Sequence, residues 1–428
     1  MKNTTAIILA AGRGTRMKSE KPKVMHDILG KPMISYVVGA VKDAGITDIV
    51  LVTGFGSDKV KDYFALSKVK IVVQKKLLGS ANAVKMAKKE IKGSKGDILI
   101  VYGDTPLLSK ETIRKLIEKH KSSGASLTLL AAILKDPTGY GRIIRDTGGR
   151  ITKIAEDSEA REYKKEIREI NVGTCIFKSE DLVSALKEIG CDNSKREYYL
   201  TDAVKILTLK AKKVESLAME NLNEIIGVNS RIELAQAART MNNKIMDELM
   251  ASGVTIQDPA TTTIYPDVMI GPDSTIYPST IIESDVRIGE NCHIGPFARL
   301  RGGTRIGQNV EIGNFVELVR TEVSDSTKIK HHTYLGDAKV GKLVNIGAGV
   351  ITANYDGKNK NRTIIGDGSF IGVGAILIAP VEIGKNALVG AGTVVLRGQK
   401  IKNGTTVVGV PARILENRRG DRRKGDRR

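Results

Sequence analysis

Two groups of side chains in this chain have the types and spacing to do chemistry. The first begins at Ala11-Gly12-Arg13-Gly14-Thr15-Arg16-Met17, directly after the apolar run Thr5–Ala10. A strand that runs into a glycine-rich turn aims backbone N–H groups at anionic oxygens. Arg16 and Lys23 add positive charge, so the stretch reads as a phosphate cradle. It lacks the Gly-Lys-Ser/Thr of a P-loop and the Gly-x-Gly-x-x-Gly of a dinucleotide-binding turn. Asp104 follows a second apolar run, Asp97–Val101. An acid at a strand end suits Mg²⁺ beside a nucleotide phosphate, and it equally suits a turn or a helix cap. The second group holds His331, His332 and Tyr334, then Asn354-Tyr355-Asp356-Gly357. An imidazole that titrates near pH ~6.5 can take a proton at neutral pH, but either histidine also suits an ordinary loop position.

Different elements must position the two groups. Around the first, short apolar runs alternate with helical patterns. Asp48–Thr53, Val69–Val73 and Asp97–Val101 read as strands, and Val37–Gly45, Ala81–Ile91 and Lys110–Ser122 as helices. This alternation predicts an α/β domain of Rossmann-like form with a mostly parallel sheet, whose ligands sit at the carboxyl ends of the strands.

Around the second group the chain keeps a six-residue beat. Aliphatics recur at Ile264, Ile270, Ile276, Ile282, Ile288, Ile294, Leu300, Ile306, Ile312 and Leu318. The beat resumes at Val340 and Ile346, then runs from Ile365 to Val407. Neither a helix nor a half-buried strand has that period. A parallel β-helix does, with three flat sides per coil and one inward aliphatic per side. Glycine often follows the aliphatic and is expected at the corners, where φ > 0 is needed. The off-beat stretches Leu318–Lys339 and Gly347–Ile364 are expected to be loops thrown out from the coil, carrying the second group. Ile232, Ala235, Ala238, Met241, Ile245 and Leu249 mark a linker helix over Asn229–Ser252, ended by Gly253.

Composition narrows the function classes. The chain has 428 residues, three scattered cysteines and a net charge of +20. No apolar run approaches the ~18 residues of a membrane helix, and the first residues do not resemble a signal peptide, so the chain is read as cytoplasmic with no membrane span. The charge suits acidic small substrates such as nucleotides and phosphosugars. Aromatics make up 4% and Trp is absent, so no stacking platform for nucleic acid is evident. The basic tail Asn417–Arg428 reads as disordered and solubilising.

Almost the full length resembles the bifunctional bacterial enzymes that join N-acetylglucosamine-1-phosphate uridylyltransferase to glucosamine-1-phosphate N-acetyltransferase. The N-terminal motifs are Leu9-Ala10-Ala11-Gly12-Arg13-Gly14-Thr15-Arg16-Met17, Pro22-Lys23-Val24, Tyr102-Gly103-Asp104, Gly139-Tyr140-Gly141-Arg142, Glu197-Tyr198-Tyr199-Leu200-Thr201-Asp202 and Gly227-Val228-Asn229. The C-terminal motifs include Gly313-Asn314-Phe315-Val316-Glu317, His331-His332-Thr333-Tyr334-Leu335-Gly336-Asp337 and Asn345-Ile346-Gly347-Ala348-Gly349. The resemblance implies a left-handed coil of hexapeptide repeats. It also implies a uridylyltransferase domain at 1–228, a linker helix at 229–253, an acetyltransferase domain at 254–416 and a tail at 417–428.

The resemblance further implies site residues. Leu9, Ala10, Ala11, Gly12, Gln74, Gly79 and Ser80 would hold uracil and ribose, and Arg16 and Lys23 the triphosphate. Tyr102 and Gly103 lead to Asp104, which with Asn229 would bind Mg²⁺. Gly141, Glu156 and Asn171 would contact N-acetylglucosamine. His331 would be the base of acetyl transfer, with Arg301, Tyr334 and Asn345 on the sugar phosphate. Ala348, Asn354, Tyr355 and Ala391 would line the acetyl-CoA site. A homotrimer is implied, with UTP and acetyl-CoA as co-substrates and UDP-N-acetylglucosamine for cell-wall synthesis as product.

The chain departs from the family pattern at several positions. Ala81 and Asn82 replace Gly and His, and Ser158 falls where the family has a lysine. Val319-Arg320 stands for Lys-Lys, and Val373 for a coenzyme-contacting Ser. An alternative reading therefore keeps only the sugar-1-phosphate nucleotidyltransferase, with the coil as a trimerisation module.

Overall fold

A computed structural model describes residues 3–93, 96–157, 167–192 and 196–415. Ser158 and the tail 417–428 lie outside the described residues. The chain divides into two compact units, Met1–Thr240 and Met241–Arg428.

In the first unit a sheet carries the strands in the order Val214–Ala218, Leu127–Ile133, Glu169–Lys178, Asp97–Tyr102, Thr4–Ala10, Asp48–Thr53, Lys70–Val73. The last four of these run parallel, while Glu169–Lys178 is antiparallel to both its neighbours. A hairpin, Gly141–Arg145 with Ile151–Ala155, is attached to Glu169–Lys178. Thr4–Ala10 is buried along its whole length, as a central parallel strand covered on both faces must be. The helices are close to those expected, at Met33–Asp43 and Lys110–Ser123, but the pattern Ala81–Ile91 is broken into Ser80–Met86 and Lys88–Gly93.

In the second unit three parallel sheets wind into a three-sided coil. Inward aliphatics stack in ladders, for example Ile264, Ile282, Leu300, Leu318 and Leu335, and all five are fully buried. Stacked partners are 18 residues apart in the regular coils, as in Ile276↔Ile294.

The expected loop at Leu318–Lys339 does not form. The coil continues through Glu322–Val323, Lys328–His331, Tyr334–Gly336 and Ala338–Val340. The inward residues there are Val323, Ile329, Leu335 and Val340. The steps Leu318 to Val323 and Leu335 to Val340 are one residue short, so the stacking repeat falls to 17, as in Leu318↔Leu335. The left-handed corner residues slip in the same way, from Phe315 to Arg320 and from His332 to Asp337. The second expected loop is real but shorter. Ile351–Ala353 and Thr363–Ile365 are strands, which leaves Asn354–Arg362 outside the coil.

Most of the glycines that follow the aliphatics are also not corner residues, although Gly295 does take positive φ, at 102°. Gly289, Gly307 and Gly313 do not take positive φ, whereas Asp267, Asp273, Ser279, Asp285 and Asn291 do. These glycines are required by coil-to-coil contact: a Cβ on Gly289 would lie 2.5 Å from the Gly307 carbonyl oxygen.

The helix Arg231–Ala251 opens on a capping box. Ser230 Oγ accepts from Glu233 N at 3.3 Å, and Glu233 Oε2 accepts from Ser230 N at 2.7 Å. Ile232, expected to face a core, is 72% exposed. The last part of the helix is tied to the coil by buried Asn242, whose Nδ2 donates to Thr262 O at 2.8 Å and whose Oδ1 accepts from Ile264 N at 2.9 Å. A stripe of apolar spacing missed this anchor because the residue that makes it is polar.

Candidate active sites

In the first unit the strands Thr4–Ala10 and Asp97–Tyr102 are neighbours, and their carboxyl ends open into a cleft of about 360 Å³. The chain leaves Thr4–Ala10 for a strand on one side and later returns to pair on the other, which creates the crevice where α/β sheets bind ligands. The cleft is lined by Leu9, Ala10, Ala11, Gly12, Lys23, Gln74, Gly79, Ser80, Tyr102 and Asp104, all named from the sequence. Gly103 packs against the turn, its N–H donating to Leu9 O at 2.9 Å. Arg16 is exposed in the short helix Thr15–Met17 beside the cradle and does not line the cleft.

Within the cleft lining, Lys23 Nζ forms an ion pair with Asp104 Oδ2. It also donates to Asn229 Oδ1 at 3.1 Å. The Asn229 loop is held there because Val228 N donates to Asp104 O at 2.8 Å. Two hard oxygens, one anionic, thus converge on one cationic point, which the ammonium fills. That donor set fits Mg²⁺, which takes one or two protein oxygens together with substrate phosphates and water.

A second segment closes the cleft wall. Tyr198 N donates to Leu78 O at 2.9 Å, Ala81 N donates to Tyr198 O at 2.9 Å, and Leu200 N donates to Ser80 Oγ at 2.9 Å. The Ser80 hydroxyl is therefore bound into the wall. Gly79 takes φ +98°, and a Cβ there would meet Tyr198 O at 2.6 Å. Gln74 donates to Asn82 Oδ1 at 2.8 Å and to Gly79 O at 3.2 Å, so the departure at Asn82 fixes how the Gln74 amide is turned. Burial raises the Tyr102 phenol well above its ordinary range.

Gly141, Glu156 and Asn171 gather beside this cleft rather than in it. Gly141 is paired with Asn171, and Glu156 Oε1 accepts from Thr201 Oγ1 at 2.6 Å. Arg13 and Glu197 also line the cleft. Both lie inside motifs quoted above, but spacing alone gave neither a role.

In the second unit a groove of about 620 Å³ runs along one sheet, with His331 and Asn314 at one end and Tyr277 and His293 at the other. Lys328–His331 is a strand end, not a loop. Asn345 lies one coil on, paired with Lys328 in the same sheet. Tyr334 and Arg301 belong to the next sheet around the corner, and the Arg301 guanidinium donates to Glu317 Oε1 at 3.1 Å. The structure thus splits the expected residues between two faces. Ala348 lies in the turn after Asn345–Ile346 and Ala391 in the turn after Leu388–Val389.

Asn354 and Tyr355 open the protruding loop. Asn354 Nδ2 donates to Asp337 Oδ2 at 2.6 Å, and the same carboxylate takes a two-pronged bond from Arg320 at 2.6 and 2.7 Å. Arg320 and Asn354 hold the Asp337 carboxyl below its usual range. Val319 is buried, so of the pair Val319-Arg320 only Arg320 presents its side chain. Val373 is exposed.

Residues 6–167 match the MobA-like NTP transferase domain, and residues 285–320 and 362–397 match the bacterial transferase hexapeptide (six repeats) family. The bifunctional protein GlmU of Acetivibrio thermocellus is 44% identical over 423 positions, covering 91% of this chain and 92% of that protein. Those of Exiguobacterium sp. and Caldanaerobacter subterraneus subsp. tengcongensis are 41% and 43% identical, and cover 91% and 92% of this chain. Of those two proteins, 94% and 93% is covered. The chain belongs to the GlmU family. As a GlmU-family member it is a bifunctional enzyme of UDP-N-acetylglucosamine synthesis, a nucleotidyltransferase followed by an acetyltransferase on a left-handed β-helix. Among the described residues no helix is long and apolar enough to cross a membrane.

Proposed function

We propose that the cleft around Lys23, Asp104 and Asn229 transfers uridylyl from UTP to N-acetylglucosamine-1-phosphate, and that the groove at His331 transfers acetyl from acetyl-CoA to glucosamine-1-phosphate. The observation that carries the first half is the meeting of Lys23 with the oxygens of Asp104 and Asn229. Mg²⁺ held by Asp104 and Asn229 would supply charge neutralisation at the phosphates. Lys23, with Arg16, binds the triphosphate and offsets charge that builds on the departing oxygens. A phosphate of the sugar attacks the α-phosphorus in line, the bond to the β-phosphate breaks, and pyrophosphate leaves. The nucleophile is already an anion, so no side chain needs to take a proton from it. The buried walls of the cleft orient the base and ribose, and positioning supplies much of the rate.

In the acetyl transfer, which comes first because it makes the N-acetylglucosamine-1-phosphate that the cleft consumes, the glucosamine nitrogen attacks the thioester carbonyl, the C–N bond forms, the C–S bond breaks and CoA leaves as the thiol. His331 accepts the amine proton. Arg301, Tyr334 and Asn345 hold the sugar phosphate, and Ala348, Asn354, Tyr355 and Ala391 the coenzyme. The enzyme works in the cytoplasm as a trimer, and the linker at 229–253 divides its two activities.

The test is a pair of assays on the full chain. Asp104→Asn lowers pyrophosphate release by roughly a hundredfold or more and leaves CoA release unchanged. His331→Ala lowers CoA release by about 10²- to 10⁴-fold and leaves pyrophosphate release unchanged. Wild-type chain that releases pyrophosphate but no CoA selects the nucleotidyltransferase alone, with the coil as a scaffold.

A further inference from the structure

His331 and Asn314 are paired in register on successive coils, so their side chains emerge side by side from one sheet face. Asn314 Oδ1 lies 2.7 Å from His331 Nδ1. Both line the same groove. We infer that Asn314 is the positioning residue of His331, holding its proton on Nδ1 and turning Nε2 toward the groove as the acceptor. The inference rests on the reading of His331 as the acetyl-transfer base.

The physical reason is the donor count. An amide oxygen can only accept, so the ring nitrogen facing it must carry the hydrogen. A neutral imidazole has one N–H, so a hydrogen on Nδ1 leaves the lone pair on Nε2. A base must present that lone pair to the amine, and a ring free to turn or to change tautomer presents it only part of the time. The partner here is an amide and not a carboxylate. It orients the ring without adding a negative charge that would hold the proton after transfer. The other titratable groups in the groove are Tyr277, His293, Glu311 and Lys330. Tyr277 OH sits 3.2 Å from His293 Nδ1, and Glu311 is bound to Lys328 and Lys330 at 2.9 and 2.6 Å, so these are engaged with each other. His332, across the corner, stacks on Phe315 at 4.9 Å.

The experiment reads the tautomer directly. The chain has five histidines, so ¹⁵N-imidazole spectra can be assigned with a His331→Gln control. Wild-type His331 is expected to carry its proton on Nδ1 above the acidic limb of the pH–rate profile. N314L should shift the population toward Nε2–H and lower kcat for CoA release by roughly ten- to hundredfold, part of the ~10²–10⁴ that a general base contributes, with little change in KM. N314D should restore the Nδ1–H signal and most of the rate, while its charge moves the acidic limb to higher pH. A purely structural Asn would give neither the tautomer change nor the moved limb. The inference is overturned by a wild-type proton on Nε2, by N314L with wild-type kcat, or by N314D no better than N314L. Where N314L fails to fold, the tautomer of the wild type and the limb of N314D decide. If His331→Ala keeps its CoA release, the base assignment fails first, and Asn314 falls with it.

Discussion

Lys23, Asp104 and Asn229 come from three distant parts of the chain, the first and the last 206 positions apart, yet they form one charge-balanced cluster. The sequence motifs named all three, but not that the lysine binds the two oxygens assigned to a cation. That contact depends on the loop hydrogen bond from Val228 to Asp104, which has no signature in spacing. A consequence follows for the metal. If ammonium and Mg²⁺ compete for the same oxygens, Lys23→Met should bind Mn²⁺ more tightly than wild type without nucleotide, while pyrophosphate release falls by about a hundredfold. Titration calorimetry with Mn²⁺ alone checks this, and weaker binding in the variant would sink it. Other residues were hidden for a similar reason. Glu197, Arg13 and Asn314 sit in recognisable motifs, but their roles arise from neighbours across the cleft or one coil away. Val319 is the converse case: the missing lysine is plain in the sequence, but its burial is not.

The coil was legible because each inward aliphatic is a separate requirement, repeated at one spacing until chance is no explanation. The two short sides were not, because dropping one corner residue destroys a fixed period while leaving the geometry intact. Val323, Ile329 and Leu335 still keep six-residue steps, and re-phasing the pattern after Leu318 would have found them. The short sides fall on one edge in successive coils, which brings the corner residues Arg320 and Asp337 into their two-pronged contact. The next coil on that edge throws out Asn354–Arg362. The scaffold and the loop should therefore separate on mutation. Replacing Tyr355–Asn361 with a glycine corner should leave cooperative melting of the coil and abolish CoA release. Gly313→Ala should do the opposite kind of damage, because its Cβ would fall 1.9 Å from Lys330 O, in the backbone of the next coil. Overpacking of this kind costs about 1–3 kcal/mol, and a chemical melt that shows no loss would refute the close-stacking account.

Across the whole molecule, charge is layered along the coil. Glu311, Asp325, Asp337 and Asp367 each bind a Lys or Arg from a neighbouring coil, and those hydrogen bonds hold their carboxyls below the ordinary values of 4.5 for Glu and 3.8 for Asp. Groups depressed by folding contribute stability that is present above the unfolded value and is lost as pH falls through the folded one. Melting of the coil should thus be flat from pH ~7 to about 5 and drop below about 4, where the +20 net charge also grows. A melting temperature that holds steady down to pH ~3 would exclude these pairs as contributors.

The division between two faces of the residues proposed for acetyl transfer bears on assembly. His331 and Asn345 lie on one side of a three-sided coil, Arg301 and Tyr334 on the next, and His332 turns the corner between them with φ 42°. Adjacent sides of such a prism face different directions, so one coil presents these side chains to a small sugar phosphate from two sides of the corner. A second copy laid against the corner would bring His331 of one chain opposite the Arg301 and Tyr334 side of the other. The cleft of the first unit has no such division, since Lys23, Asp104, Asn229 and the walls around Gln74 and Ser80 come from one chain. The two activities should therefore respond differently to dilution. CoA release per chain should fall as the protein is diluted through its dissociation range, while pyrophosphate release per chain stays constant. Light scattering alongside the two assays would fix that range. CoA release that persists in a solution of monomers would show that one coil suffices, and the grip on the sugar phosphate would then have to come from the His331 face alone.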